Sequence, residues 1–133
     1  RSVSKLLVPK GYDFDLLFNA LFKFKDIINH NKYVNNYDYN KAVYLMSEQK
    51  FIENGFVILK EDEKLGSPIG CLFFEYYENS KDLNTYISNI KDSLQCVVSN
   101  LNIPNSTSFG SSQKPNIDDY ADNINTLDFL LKI

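Results

Sequence analysis

A chain of 133 residues is long enough for one hydrophobic core, and 44% apolar residues with 14% aromatics exclude a mainly disordered protein. The formal net charge of -3, with basic and acidic residues interspersed, leaves no electrostatic footprint for a phosphate backbone, so no nucleic-acid partner is expected. The longest apolar runs, such as Ile69 to Phe74, fall far short of the roughly 20 residues that a membrane span needs. No charged-then-apolar leader precedes them, so a cytoplasmic protein is expected.

Ser4 to Val8 is short and apolar, and Pro9 with Gly11 closes it, so a strand leaving into a turn is predicted. Asp13 then offers an N-cap. From Leu16 to Ile28 the apolar residues recur at three- and four-residue steps, the period of a helix with one buried face. Asp13 and Asp15 sit at its positive end, which accounts for both carboxylates without a catalytic pair. The segment His30 to Asn40 interleaves Asn with Tyr and is expected to be a loop. A helix from about Asp38 to Gln49 follows, with Ala42, Val43, Leu45 and Met46 facing inward. Asn54-Gly55 signals a turn, and Phe56-Val57-Ile58-Leu59 reads as a buried strand.

The acidic stretch Glu61-Asp62-Glu63 leads through Gly66-Ser67-Pro68 to a strand from Ile69 to Tyr77. Ser80 is placed to cap a helix whose inner positions are Leu83, Tyr86, Ile87, Ile90 and Leu94. Gln95 to Ser99 reads as a short strand, and the strand, helix, strand order from Leu72 to Val98 predicts a parallel pair with a right-handed crossover. A long polar loop follows Asn100, of the kind that is often functional. Thr126 to Ile133 is expected to form a terminal helix with Leu127, Leu130 and Leu131 turned inward. These elements predict an α/β fold, a partly parallel sheet flanked by helices, in one segment covering residues 1–133.

The residues alone offer no convincing catalytic set. His30 has no local thiol or hydroxyl to activate, and one His with two dispersed Cys builds no metal site, so no metal is expected. Cys71 and Cys96 lie in apolar runs and read as small buried hydrophobes. No glycine-rich phosphate cradle is present. Two loops invite chemistry: the acidic loop Glu61 to Pro68 suits ribose hydroxyls, which donate to ionised carboxylates. In Phe109-Gly110-Ser111-Ser112-Gln113, Gly110 allows backbone to approach a ligand.

Several strings go further in combination: Leu7-Val8-Pro9-Lys10-Gly11-Tyr12-Asp13-Phe14, Lys32 to Lys41, Asn54-Gly55-Phe56, Leu59-Lys60-Glu61-Asp62-Glu63 and Phe73-Phe74-Glu75-Tyr76-Tyr77. With Phe109 to Pro115, Asp119-Tyr120-Ala121-Asp122 and Asp128-Phe129-Leu130, they resemble the carboxyl-terminal half of bacterial LuxC-type acyl-CoA reductases, a branch of the aldehyde dehydrogenase superfamily. The resemblance implies a fragment of an aldehyde dehydrogenase-like catalytic domain. It implies an enzyme that takes acyl-CoA to fatty aldehyde through a cysteine thioester, with NADPH or NADH as cofactor. The nucleophilic Cys is then expected just upstream of Arg1, so this segment holds no catalytic residue, and the opening Arg1-Ser2-Val3-Ser4 without Met fits a longer parent.

Within the segment the resemblance assigns cofactor binding to Glu63, with Glu61 as the other register, because Glu63-Lys64-Leu65-Gly66-Ser67-Pro68 is similar to the superfamily's ribose-binding Glu-x-Phe-Gly-Pro loop. It assigns substrate binding to Phe109 and Gly110, as a wall of the acyl pocket. No tightly bound cofactor is expected of the fragment alone, and the surface left uncovered predicts a homo-oligomer. The contrasting reading is a free-standing α/β interaction module without catalysis, docking through the aromatic strand Leu72 to Tyr77.

Overall fold

The apolar run after Ser4 forms a strand, β1 (Lys5–Pro9), in the computed structural model, which describes residues 3–115, 117, 119–120 and 124–132. The described chain divides into two compact units, Ser2–Asn79 and Ser80–Ile133. In the first, β1 is followed by α1 (Phe14–Leu21), α2 (Asn31–Met46), β2 (Ile52–Glu53), β3 (Ile58–Glu61) and β4 (Cys71–Tyr77). The strands form one four-stranded sheet in the order β1-β4-β3-β2, with β4 parallel to both β1 and β3 and β2 antiparallel to β3. The unit is therefore α/β with a partly parallel sheet and helices, the class that the order of predicted elements implies.

Alternation along the strands builds two cores. Leu59 and Phe74 point to one face, where Val8 and Phe14 join them and Leu17 and Phe18 of α1 pack. Ile58 and Cys71 point to the other, beneath Tyr37 and Tyr44 of α2. Because helices cover both faces, the successive residues Phe56 to Leu59, which lead into and begin β3, are all apolar and buried and show no alternation. Ile58 and Leu59 are completely buried, at 0% exposure.

The helices differ from the sequence expectation in extent. Asp13 does cap α1, its carboxylate accepting from Asp15 N at 2.9 Å. The α-helix nevertheless ends at Leu21 and tightens into a 3-10 segment over Phe22–Asn29. The reason lies in packing: Phe18 belongs to the first core and Ile28 to the second, so the intervening residues carry the chain from one face to the other. Phe22 and Phe24 are exposed on the way, with Lys25 and Lys23 over their rings.

The expected loop from His30 to Asn40 is instead the first half of α2, and its inner face is polar-tipped. Tyr37, Asn40 and Tyr44 are buried, whereas Leu45 and Met46 are exposed. Each inward group finds a partner: Tyr33 Oη donates to Phe56 O at 2.7 Å, Tyr37 Oη to the Glu53 carboxylate, and Asn40 Nδ2 to Ile69 O at 3.1 Å. Tyrosines bury ring area while their hydroxyls are satisfied, so a helix that looks polar by composition packs as an apolar one.

Asn54-Gly55 makes the predicted turn, with Asn54 Oδ1 accepting from Val57 N at 3.0 Å. Gly70, which precedes β4, has φ +83, and a Cβ there would stand 3.1 Å from Tyr37 Cα. Gly70→Ala is therefore expected to lower stability by more than the about 1–2 kcal/mol of a left-handed alanine, because α2 must also shift. Gly66→Ala, where nothing lies within 4 Å, serves as the control, and urea midpoints of the two variants check the difference.

The second unit contains α3 (Ser80–Ile90), β5 (Val97–Val98), β6 (Ser106–Thr107) and α4 (Thr126–Leu131). Leu83 and Ile87 are buried as the helical spacing predicts. The expected parallel crossover from Leu72 to Val98 does not form: β5 pairs with β6 in a separate two-stranded sheet. Cys96, expected to be buried, is exposed beside it. On α4, Leu127, Leu130 and Leu131 are exposed rather than inward, up to 84% for Leu131. The expected helix end at Ile133 lies outside the described residues, as do Arg1, Ala121 and Asp122. Among the described residues no helix is long and apolar enough to cross a membrane.

Candidate functional site

β3 ends in Glu61, and residues 62–70 connect it to its parallel neighbour β4 without a helix. The first residues of this connection lie at the carboxyl end of a parallel strand, the side on which open α/β sheets collect their ligands. Glu61, Asp62, Glu63 and Glu75 line an open groove of about 270 Å³ there. Glu61 and Glu63, the two sequence-predicted acidic residues, are both exposed and both line this groove.

Two ammonium groups support the groove from inside the sheet. Register places Lys5, Phe73 and Lys60 side by side on the face covered by α2. Lys60, with its side chain only 12% exposed, pairs with Asp62 and lies 5.5 Å from the Tyr44 ring centroid and 5.3 Å from that of Phe73. Lys5, 8% exposed, pairs with Glu75 and donates to Glu63 O at 2.7 Å. Asp62 also accepts from Lys64 N at 3.0 Å, and Asp62 N donates to Phe74 O at 3.2 Å. The loop is thus pinned at two successive residues while the carboxylates of Glu61 and Glu63 stay at the surface.

Electrostatics follow from this geometry. The bond from Lys60, followed by that from Lys64 N, holds the Asp62 carboxyl below the ordinary aspartate range. At Glu53 burial pushes the pKa up, but the bonds from Lys41 and Tyr37 outweigh it and the net shift is downward. A carboxylate depressed on folding stabilises the fold fully above its unfolded pKa and loses that contribution as pH falls through the lower folded value. The fold is therefore expected to weaken as pH drops below about 4. Asp62→Asn should flatten that acid limb, as measured by urea midpoints over an acid pH series.

Sequence reasoning missed Lys5, Lys60 and Glu75. The available signal was a charged residue inside each strand of a sheet whose faces are both covered, since such charges need partners. Cys71 is buried as expected. Burial pushes its thiol up, with Tyr44 and Lys60 acting in the opposite direction, so it stays protonated and unreactive near neutral pH.

Phe109 and Gly110 belong to the second unit, whereas Glu61 and Glu63 belong to the first. Phe109 is 68% exposed, and its N–H donates to Asn100 Oδ1 at 3.3 Å. Gly110, at φ +81, lets the chain turn back so that Ser111 N meets Ser108 O at 3.1 Å. Strand β4 lies between β1 and β3, and of the aromatics in the contrasting reading Phe73 and Phe74 are buried in the core whereas Tyr76 is exposed. Among the described residues no group of three or more His, Cys, Asp or Glu is arranged to hold a metal ion. Comparison with protein-family models, with curated proteins and with solved structures gives no match.

Proposed function

We propose that this chain is the carboxyl-terminal part of the catalytic domain of an NAD(P)H-dependent acyl-CoA reductase of the aldehyde dehydrogenase type. The observation that carries this reading is the pinned loop at the carboxyl end of β3, with Glu61 and Glu63 exposed on one groove. It gives a structural use to the string Glu63-Lys64-Leu65-Gly66-Ser67-Pro68, and the ordered resemblance along the chain gives that use its chemistry.

The cofactor supplies the hydride that takes the acyl group to the aldehyde. The part played by this chain is narrower. An ionised carboxylate at Glu63, or at Glu61, accepts hydrogen bonds from adjacent ribose hydroxyls and fixes the sugar. Lys5 and Lys60 neutralise Glu75 and Asp62 beneath it, leaving Glu61 and Glu63 to face the ligand. Phe109 contributes an apolar wall to the acyl pocket and Gly110 the turn that presents it. The parent acts in the cytoplasm as a homo-oligomer.

The test is activity. A polypeptide carrying this segment together with the residues encoded ahead of it should oxidise NADH or NADPH when given acyl-CoA. The 133-residue chain alone should not. Turnover by the isolated chain would contradict the placement of the nucleophile ahead of Arg1.

A second reading, a non-catalytic interaction module, is favoured by one observation: Leu127, Phe129, Leu130 and Leu131 of α4 are all exposed. A start codon directly ahead of this segment would decide for the module. A cysteine there, preceded by several hundred α/β residues, would decide for the enzyme.

A further inference from the structure

We propose that Lys5 is a positioning residue for the Glu63 loop, setting cofactor affinity without itself touching the ligand. This rests on the ribose-binding reading of Glu63 given above.

Lys5 lies on β1, and β1 and β3 are not neighbours, because β4 runs between them. The Lys5 side chain crosses β4 and donates to Glu63 O at 2.7 Å, on the loop that leaves β3. Two strand spacings, about 9–10 Å, separate β1 from β3, so the bond ties together parts of the chain that the sheet ladder does not. Lys5 is among the most buried charges of this unit, at 8% exposure, and a lysine is seldom so buried without partners. Glu75 neutralises it from the adjacent strand, which leaves an ammonium hydrogen for the carbonyl.

The bond has little to do with β1 itself. That strand is already paired along its length with β4, from Lys5↔Phe73 to Pro9↔Tyr77. What the bond does determine is where the Glu63 peptide sits. Asp62 is fixed separately by Lys60 and by the Phe74 carbonyl, so with Lys5 in place two successive residues are held and the Glu63 carboxylate projects from a defined backbone. Without Lys5, residues from Glu63 to Ser67 are tied at Asp62, at Lys64 N, which donates to Asp62 Oδ1 at 3.0 Å, and where Ser67 Oγ donates to Cys71 O at 2.8 Å, so the Glu63 peptide itself loses its bond to β1. The Glu63 carboxylate would then sample several positions, and a ligand that binds only one of them binds more weakly in proportion to that position's population.

The experiment compares Lys5→Met with Lys5→Arg, which retains a cation and its donors. Amide hydrogen exchange is followed in the 133-residue chain, and KM for NAD(P)H, KM for acyl-CoA and kcat are measured in the polypeptide that includes the upstream residues. Because Lys5→Met removes the ammonium that pairs with the Glu75 carboxylate, Lys5→Met/Glu75→Gln is carried through the exchange measurement as well. Lys5→Met and the double variant should speed exchange at residues 63–66, and Lys5→Met should raise the cofactor KM about tenfold, the factor for a tenfold drop in the competent population. The acyl-CoA KM and kcat should hold, and Lys5→Arg should restore the cofactor KM.

Unchanged exchange at residues 63–66 in both Lys5→Met and the double variant overturns the proposal. So does a shift in kcat and in the acyl-CoA KM as large as that in the cofactor KM, the mark of a merely structural loss. If Glu63→Gln and Glu61→Gln leave the cofactor KM untouched, the ribose reading fails and the proposal fails with it. If one of them raises the cofactor KM while Lys5→Met does not, only the role of Lys5 is lost.

Discussion

Leu59→Ala is expected to be among the most damaging single truncations of the described residues, lowering the unfolding free energy by about 3–5 kcal/mol. Leu59 is fully buried in β3, packed with Val8 from β1, Phe14 from α1 and Phe74 from β4, so one side chain joins three other elements. A methyl group in its place loses the transfer free energy of the missing atoms and leaves a cavity that a strand paired on both sides, with β4 and β2, closes only in part. Against the usual total of about 5–15 kcal/mol for a small domain, the loss removes a large share of the stability. Leu131→Ala is the control: that residue is 84% exposed, and its truncation should change stability by no more than about 0.5 kcal/mol. Denaturant midpoints should separate the two clearly, with unchanged slopes. Equal midpoints would mean that Leu59 is not at the centre of the first core.

The second large effect is expected at the groove. If Glu63 holds the cofactor ribose as proposed, exchanging its carboxylate for an amide in a polypeptide that includes the upstream residues keeps the shape but removes the charge that would accept from two hydroxyls. Hydrogen bonds to charged groups contribute about 1.5–3 kcal/mol each, so Glu63→Gln should raise the KM for NAD(P)H by about ten- to a hundredfold. Its effect on the KM for acyl-CoA should be small. Glu61→Gln, made alongside, resolves the register: only the residue in contact with the ribose produces the large change. Equal and small effects from both would remove the groove from the cofactor site.

The sequence showed most of the sheet and little of its surroundings. Strands rich in Val, Leu, Ile and Phe announced themselves, and Phe56 to Leu59 marked a sheet covered on both faces because no alternation interrupts it. α2 was hidden because its inner face is written in Tyr33, Tyr37, Asn40 and Tyr44, residues that score as loop formers until their hydroxyl and amide partners are known. The end of α1 was hidden because periodicity cannot reveal that the chain must change faces between Phe18 and Ile28. β5 was misplaced because two β-branched residues signal a strand but say nothing of which sheet receives it.

For the site, the acidic string was legible and its support was not. Glu61 and Glu63 drew notice as neighbours in sequence, whereas Lys5 and Glu75 join them only through the register of β1 on β4. A resemblance of strings locates a loop but does not supply the side chains that hold it. Here those come from the interior of the sheet, where each lysine is balanced by a carboxylate on the same face.

The central claim is that this sheet and its acidic loop serve a sulfur nucleophile contributed by preceding polypeptide. It is tested most directly by trapping the acyl group. The longer protein is incubated with acyl-CoA in the absence of reduced cofactor, quenched in acid, digested and analysed by peptide mass. The acyl adduct should fall on a cysteine encoded ahead of Arg1, with Cys71 and Cys96 unmodified. An adduct on Cys71 or Cys96, or no acylated cysteine in protein that binds acyl-CoA, would contradict it.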